Sequence, residues 1–216
     1  MKTRVGLIFD DGFVPSTLAT AKLFDEFSIP AVFAVIAEPK DFAPRFVKGD
    51  FKLWNELQSR GHIIQPHGYT HAKLPDLPLP QAIDQMTRCL AAFTEKLDGF
   101  DATTSVYCHT YNSGSPPLNE WLLPRVYAVR QGGDGCLSKQ QIDSRVWLCD
   151  AIGPHDPGDE LLKLLDHAER KRPHTFLFTL HGIDGEAWGA IALDKMRRVL
   201  ERITTSDAFE YWPVRA

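Results

Sequence analysis

Short apolar runs alternate along the chain with longer stretches whose apolar residues recur at helical spacing. Arg4–Phe9, Ala31–Ile36, His62–Gln65, Thr103–Cys108, Val126–Arg130, Val146–Cys149 and Thr175–Leu180 read as strands, with a further short one at Glu210–Val214. Between them Ser16–Phe27, Phe51–Arg60, Leu79–Leu97, Glu160–Lys171 and Ala192–Ile203 read as helices. The pattern is clearest in Leu79–Leu97, where Ile83, Met86, Leu90, Phe93 and Leu97 fall on one face. Ser16 is the expected N-cap of the first helix, and Gly61 is the expected stop of the second.

Strand–helix alternation with no internal repeat and no low-complexity linker predicts one α/β domain spanning residues 1–216. Its strands should be parallel and its helices outside, as a barrel or as an open sheet. The polar residues narrow this choice. Asp10 and Asp11 follow the first strand, His67 the third, Tyr111 the fourth and His181 the strand near the C-terminus. A βα-barrel builds its site from the carboxyl ends of many strands, whereas an open sheet uses that face only near its switch point. Contributions from four strands therefore favour a closed or nearly closed (β/α) barrel of about seven parallel strands with outer helices.

Charge and composition remove several classes of function. The 216 residues carry a formal net charge of −4, which lacks the basic footprint of a nucleic-acid binder. Cys89, Cys108, Cys136 and Cys149 are scattered without C-x-x-C spacing, so reduced, buried thiols are expected rather than a zinc ribbon or a disulfide framework. No apolar stretch reaches the ~20 residues of a membrane span. Met1 stands so close to the first strand that no leader is expected, and the chain reads as soluble and cytoplasmic.

Two motifs carry the chemistry. Phe9-Asp10-Asp11-Gly12 ends an apolar run, and His67-Gly68-Tyr69-Thr70-His71 offers two imidazoles four residues apart. Asp-Asp-Gly is also a common turn. Adjacent residues at a strand end point in different directions, however, so one carboxylate can bind a metal while the other faces a reacting water. Gly68 weakens a regular helix, so a loop or single turn is expected between the histidines. Two imidazoles and Asp11 match a catalytic metal set with an open position. His181 closes the apolar run Phe176–Leu180 and is a candidate proton donor, since a neutral-range pKa suits a general acid. His109, Tyr111 and Asn112 read as a polar loop, and Asp134 reads as a turn. His155-Asp156 reads as a loop between prolines, and Trp188 as either core or a sugar-stacking wall. His62, His167 and His174 are assigned to structure or surface.

On these residues the chain resembles the polysaccharide deacetylase family, whose fold is a distorted (β/α) barrel. Leu7–Gly12 is similar to the family's T-F-D-D-G motif, and Gly61–His71 to G-H-E-I-G-S-H-T-Y-T-H. The ending Leu180-His181 is similar to its last motif, and the resemblance runs from residue 4 to about 182. It implies Asp10 as general base, and Asp11, His67 and His71 as ligands of a divalent metal, most commonly Zn2+. It further implies His181 as general acid, and Tyr111 as the residue whose backbone N–H helps hold the oxyanion. The implied reaction releases acetate from an N-acetyl sugar, either a small molecule or an oligosaccharide. A cytoplasmic site favours a soluble, nucleotide-linked or lipid-linked precursor of surface polysaccharide.

The third motif, Cys108-His109-Thr110-Tyr111, lacks the family's arginine. Either Asp10 titrates differently or Arg130 substitutes from the next strand. Gly68 replaces the serine or threonine that braces the first ligand's loop, the Asp-Trp motif is missing, and His109 could add a ligand or a substrate contact. Residues 38–50, 108–120 and 131–144 are the loops expected to shape the groove. Other readings on the same scaffold are a deformylase, an allantoinase-like amidohydrolase, an O-acetyl esterase or a non-catalytic sugar-binding relative.

Overall fold

The first apolar run forms the strand around which the molecule is arranged. In the computed structural model, which describes residues 2–39, 41–170, 175–184 and 188–215, this is β1 (Thr3–Asp11). The chain continues through α1 (Val14–Glu26), β2 (Val32–Val35), α2 (Phe51–Ser59), β3 (Ile63–Pro66), α3 (Leu79–Lys96), β4 (Val106–Cys108) and α4 (Pro116–Leu122). It then forms β5 (Ala128–Gly132), β6 (Cys136–Leu137), α5 (Lys139–Asp143), β7 (Val146–Ala151), α6 (Gly158–Arg170), β8 (Thr175–Leu180), α7 (Leu193–Thr205) and β9 (Phe209–Tyr211). Lys171, the expected end of α6, and His174 lie outside the described residues.

Seven strands run parallel in the order β3-β2-β1-β8-β7-β5-β4, with helices around them. β6 adds an antiparallel pair to β8, and β9 a parallel one to β1. The two ends of this path, β3 and β4, are joined by a side chain instead of a ladder: Val106 N–H donates to Gln65 Oε1 at 2.8 Å. The result is the nearly closed (β/α) barrel expected from the strand-end chemistry.

Strand alternation sorts the core into two layers. Ile8, Ala34, Val106, Ala128, Trp147 and Leu177 fill the barrel, which Trp212 and Val214 plug from one end. Leu7, Phe9, Phe33, Val129, Phe178 and Leu180 face the helices. Burial on both faces is why the runs are continuously apolar rather than alternating. Gly6 sits where the plug meets the wall. A β-carbon there would lie 2.7 Å from Val214 Cγ2 and 3.0 Å from Leu177 Cδ1, so glycine is the residue that fits.

Three local expectations need correction. Ser16 is not the cap of α1: the helix starts at Val14 with Pro15 in its first turn, and the buried Ser16 hydroxyl donates to Phe13 O at 3.2 Å. Thr103 and Thr104, expected to begin a strand, fall instead in a 3-10 turn over Ala102–Thr104, where Thr103 N–H donates to Asp101 Oδ1 at 2.8 Å. The short helices α4 and α5 were not expected, although α5 carries a capping box between Ser138 and Gln141.

Candidate active site

Inward-facing positions end in polar residues at the carboxyl end of the barrel. Asp10 follows Ile8 along the inner face of β1. The chain then turns sharply, with positive φ at Asp11 (76°) and Gly12 (77°). His67 lies one residue beyond β3. The segment to His71 is a loop, as Gly68 suggested, and it doubles back through positive φ at Gly68 (81°) and His71 (62°). Both imidazoles thereby reach one carboxylate oxygen: Asp11 Oδ1 lies 3.5 Å from His67 Nε2 and 3.2 Å from His71 Nε2.

Asp11, His67 and His71 offer ligand atoms within 4.8 Å of one another. His67 Nδ1 lies 2.9 Å from the Cys108 carbonyl, which can only accept. That nitrogen therefore carries a hydrogen, which leaves Nε2, on the Asp11 side, as the nitrogen available to a metal, the orientation typical of metal-binding histidine. Buried Asp11 Oδ1 has no aligned hydrogen-bond partner, although the two nitrogens surround it. Burial opposes charge on Asp11, but the imidazoles outweigh it and hold the carboxyl far below the usual carboxylate range. Burial lowers the His71 pKa against the pull of Asp11, which keeps that ring neutral. An ionised Asp11 carboxylate, a His71 ring that burial disfavours protonating and a His67 ring whose Nδ1 is already committed to a carbonyl are what a divalent cation requires, so the residues fit such an ion.

Gly68 has a structural reason beyond its positive φ. A β-carbon would lie 2.9 Å from the methyl of Thr110. Thr110 in turn donates its hydroxyl to Ala72 O at 2.5 Å. The brace on this histidine loop thus comes from the chain just past β4, across the seam from β3.

Beside this group Arg130 Nη2 sits astride the Asp10 carboxylate, 2.8 Å from each oxygen, with both side chains buried. Arg130 projects from the inner face of β5, so Asp10 is paired with an arginine from the next strand, the contact that the second of the two alternatives requires. Its Nη1 donates to Thr179 Oγ1 at 3.1 Å and to Asn112 Oδ1. Burial disfavours the charge on Arg130, but Asp10 outweighs that effect and holds the guanidinium protonated.

Asp10, Asp11, His67 and His71 line a cavity of about 470 Å3 together with His181, Tyr111, Asn112, Ala151 and two further aromatic residues. Phe42 approaches His71 at 3.9 Å between ring centroids, and the Tyr111 ring does so at 4.5 Å. Trp188 stands edge-on to His181 at 5.3 Å, so it belongs to the cavity wall and not to the core. Burial lowers the His181 pKa, with Asp10 and Asp11 pulling the other way. A larger surface hollow of about 550 Å3, lined by Lys48, Lys52 and Lys96 among others, contains none of these groups. Phe42 and Ala151 were not singled out from sequence, because a lone aromatic in a loop and a strand-end alanine carry no pattern.

Two sequence candidates lie elsewhere. His109 is neither ligand nor cavity wall: it is fully buried behind the site, its Nε2 lies 2.9 Å from Asn119 Oδ1, and burial pushes its pKa down to about 4. Asp134 closes a turn by accepting from Cys136 N–H at 2.9 Å. His155 pairs with Glu160 at the surface, and His62 is buried with Nδ1 accepting from Ala31 N–H at 3.2 Å.

His109 has a measurable consequence. Its pKa is lower folded than unfolded, so the unfolded chain binds an extra proton between about pH 6.5 and 4. Stability is therefore lost as pH falls through that window, by up to about 3 kcal/mol. In urea unfolding with chelator from pH 7 to 4, His109→Gln should lose less stability than the wild type. An equally steep acid limb in the variant would refute this.

Comparison with known proteins places the architecture. The Polysaccharide deacetylase family model matches residues 1–116. No curated protein matches the sequence. Among solved structures, the Xyl-CE4 domain of a multidomain xylanase from the hindgut metagenome of Trinervitermes trinervoides aligns with TM-score 0.62 at 13% identity, over 98% of this chain and 87% of that one. Peptidoglycan deacetylase PdaC from Bacillus subtilis aligns with TM-score 0.60 at 17% identity, over 94% and 84%. The family 4 carbohydrate esterase from Streptomyces lividans in complex with acetate aligns with TM-score 0.58 at 16% identity, over 93% and 88%. At these identities the likeness is one of fold. The family match reaches further, because it takes in both the Asp10-Asp11 and the His67–His71 motifs and more than half of the 216 residues, and by it the chain belongs to the polysaccharide deacetylase family.

Proposed function

We propose that this protein is a metal-dependent hydrolase that removes an N-acetyl group from a sugar or glycan precursor and releases acetate. The observation that carries the reading is the juxtaposition of the Asp11–His67–His71 group with a second carboxylate, Asp10, held separately by Arg130. A structural ion site has no need of the second carboxylate; a hydrolytic site needs it as a base. When bound, the divalent cation, Zn2+ by its donor set, supplies Lewis acidity that polarises the acyl carbonyl and acidifies the attacking water. Asp11, His67 and His71 are the residues that would hold it.

Asp10 takes the proton of the attacking water, its oxygens kept in place by Arg130. The backbone N–H of Tyr111 donates to the developing oxyanion. His181 delivers a proton to the leaving amine; its lowered pKa makes the protonated ring a stronger donor. Phe42, Tyr111 and Trp188 supply apolar faces of the kind sugar rings pack on. The four unpaired cysteines support a reducing compartment, hence a cytoplasmic precursor of surface polysaccharide as substrate. Among the described residues no helix is long and apolar enough to cross a membrane. The acetate held by the Streptomyces lividans neighbour is the product this reading requires.

Elemental analysis of the purified protein, run beside acetate release from a panel of N-acetylated sugars, tests the proposal. About one zinc per chain with chelator-sensitive acetate release is expected. Metal without acetate release would redirect the site to another acyl group. A protein that takes up no metal even on reconstitution would overturn the reading.

A further inference from the structure

Tyr111 and Asn112 are consecutive residues with φ of 55° and 52°, and neither is glycine. Asparagine tolerates this region; tyrosine rarely adopts it, so the turn persists only where its surroundings hold it. The hold is visible on the side chain of Asn112. Its Oδ1 accepts from Arg130 Nη1 and from the Cys149 thiol, the latter at 3.3 Å. Because arginine only donates, the atom facing it must be the amide oxygen. Underneath, a β-carbon at Gly132 would lie 3.1 Å from both Asn112 Cβ and Asn112 O, so the turn is seated directly on β5.

The same guanidinium sits astride Asp10. From this geometry we infer that Asn112 is a positioning residue. Through Arg130 it ties the Tyr111 turn to the Asp10 carboxylate, so that the group accepting the proton and the amide facing the oxyanion are held in register by one buried cation. The inference rests on the deacylase reading above for the roles of those two groups; the tie itself rests on hydrogen bonds alone. Two groups that must act on one carbonyl lose rate steeply when either drifts, which gives such a tie a catalytic use.

The test uses the full chain loaded with zinc, in Asn112→Gly, Asn112→Asp and Arg130→Lys. Glycine at 112 keeps the positive φ but removes the acceptor, whereas aspartate keeps an acceptor. Lysine at 130 keeps a positive charge while losing the second arm, and so reaches the same readout without altering the turn. In the wild type, the amides of residues 112 and 113 donate to His109 O and Thr110 O. Their hydrogen exchange should quicken roughly tenfold in Asn112→Gly and in Arg130→Lys, the loss expected of a hydrogen bond to a charged group, and recover in Asn112→Asp. Exchange within β1 should quicken less than at residues 112 and 113 in Asn112→Gly, since the lost contact is local to the turn. In Asn112→Gly, kcat for acetate release should fall about tenfold with KM within about twofold, since the lost contact serves the reacting groups and not ground-state binding. Unchanged exchange at 112 and 113, or faster exchange with kcat unaltered, would overturn the inference. If the wild type itself releases no acetate, the deacylase reading fails and the exchange measurements alone decide the tie.

Discussion

Replacing Arg130 by methionine should abolish turnover and unfold the protein at a markedly lower temperature. The substitution leaves the Asp10 carboxylate buried without its cation. Removing one partner of a buried pair costs about 3–5 kcal/mol, equivalent to a fall in Tm of roughly 6–20 °C for a chain of this size. The stability loss should be largely cured by a second change that is no cure for activity. Asp10→Asn in the Arg130→Met background removes the orphaned charge, so Tm should recover while acetate release stays at background. Asp10→Asn alone should lower the rate by about 10²–10⁴-fold, the contribution of a positioned base. An Arg130→Met protein that melts within a degree or two of wild type and still turns over would show that the contact astride Asp10 serves neither stability nor catalysis. The double variant separates the two roles, because stability depends on charge balance and rate depends on the base.

Much of the barrel was legible because both faces of its strands are buried, which turns strands such as Thr175–Leu180 into unbroken apolar runs. The grouping of Asp11, His67 and His71 was legible for a different reason. The polar residues at two strand ends lie close in sequence within each motif, so Asp10-Asp11 and His67–His71 keep their chemistry in a short window. What escaped depends on contacts between distant segments. The source of Arg130 as partner of Asp10 was left open, since 120 residues separate them and only inward strand parity hints at the pair. His109 stands one residue past β4 with the same right to the cavity as His67 past β3, yet its ring is drawn behind the site by Asn119. Ser16 had the composition of a cap, but Pro15 moved the helix start upstream. Gly68 read as a missing brace until the Thr110 methyl was found in the space a side chain would need.

Loss of His71 should remove metal binding without unfolding the protein. On the proposed reading its ring would supply one of three donor atoms, and His67 and Asp11 alone would leave an ion with too few protein ligands to be held against a chelator. On that reading zinc would bind the folded form alone, so at about 100 times its Kd it should stabilise the wild type by about 2.7 kcal/mol, a rise in Tm of roughly 5–11 °C. The His71→Ala and Asp11→Ala proteins should show no such rise at the same zinc concentration, while Asp10→Asn should keep it in full, because Asp10 is engaged by Arg130 and not by the ion. The pH dependence has a definite sign. Protons compete for the imidazoles, so zinc affinity should fall as pH falls, and because burial holds His71 below its ordinary pKa, competition at that ring should set in at a lower pH than for a free histidine. A thermal shift retained by His71→Ala would remove His71 from the ligand set. A shift lost by Asp10→Asn would mean that both carboxylates bind the ion, leaving no free base for the hydrolysis.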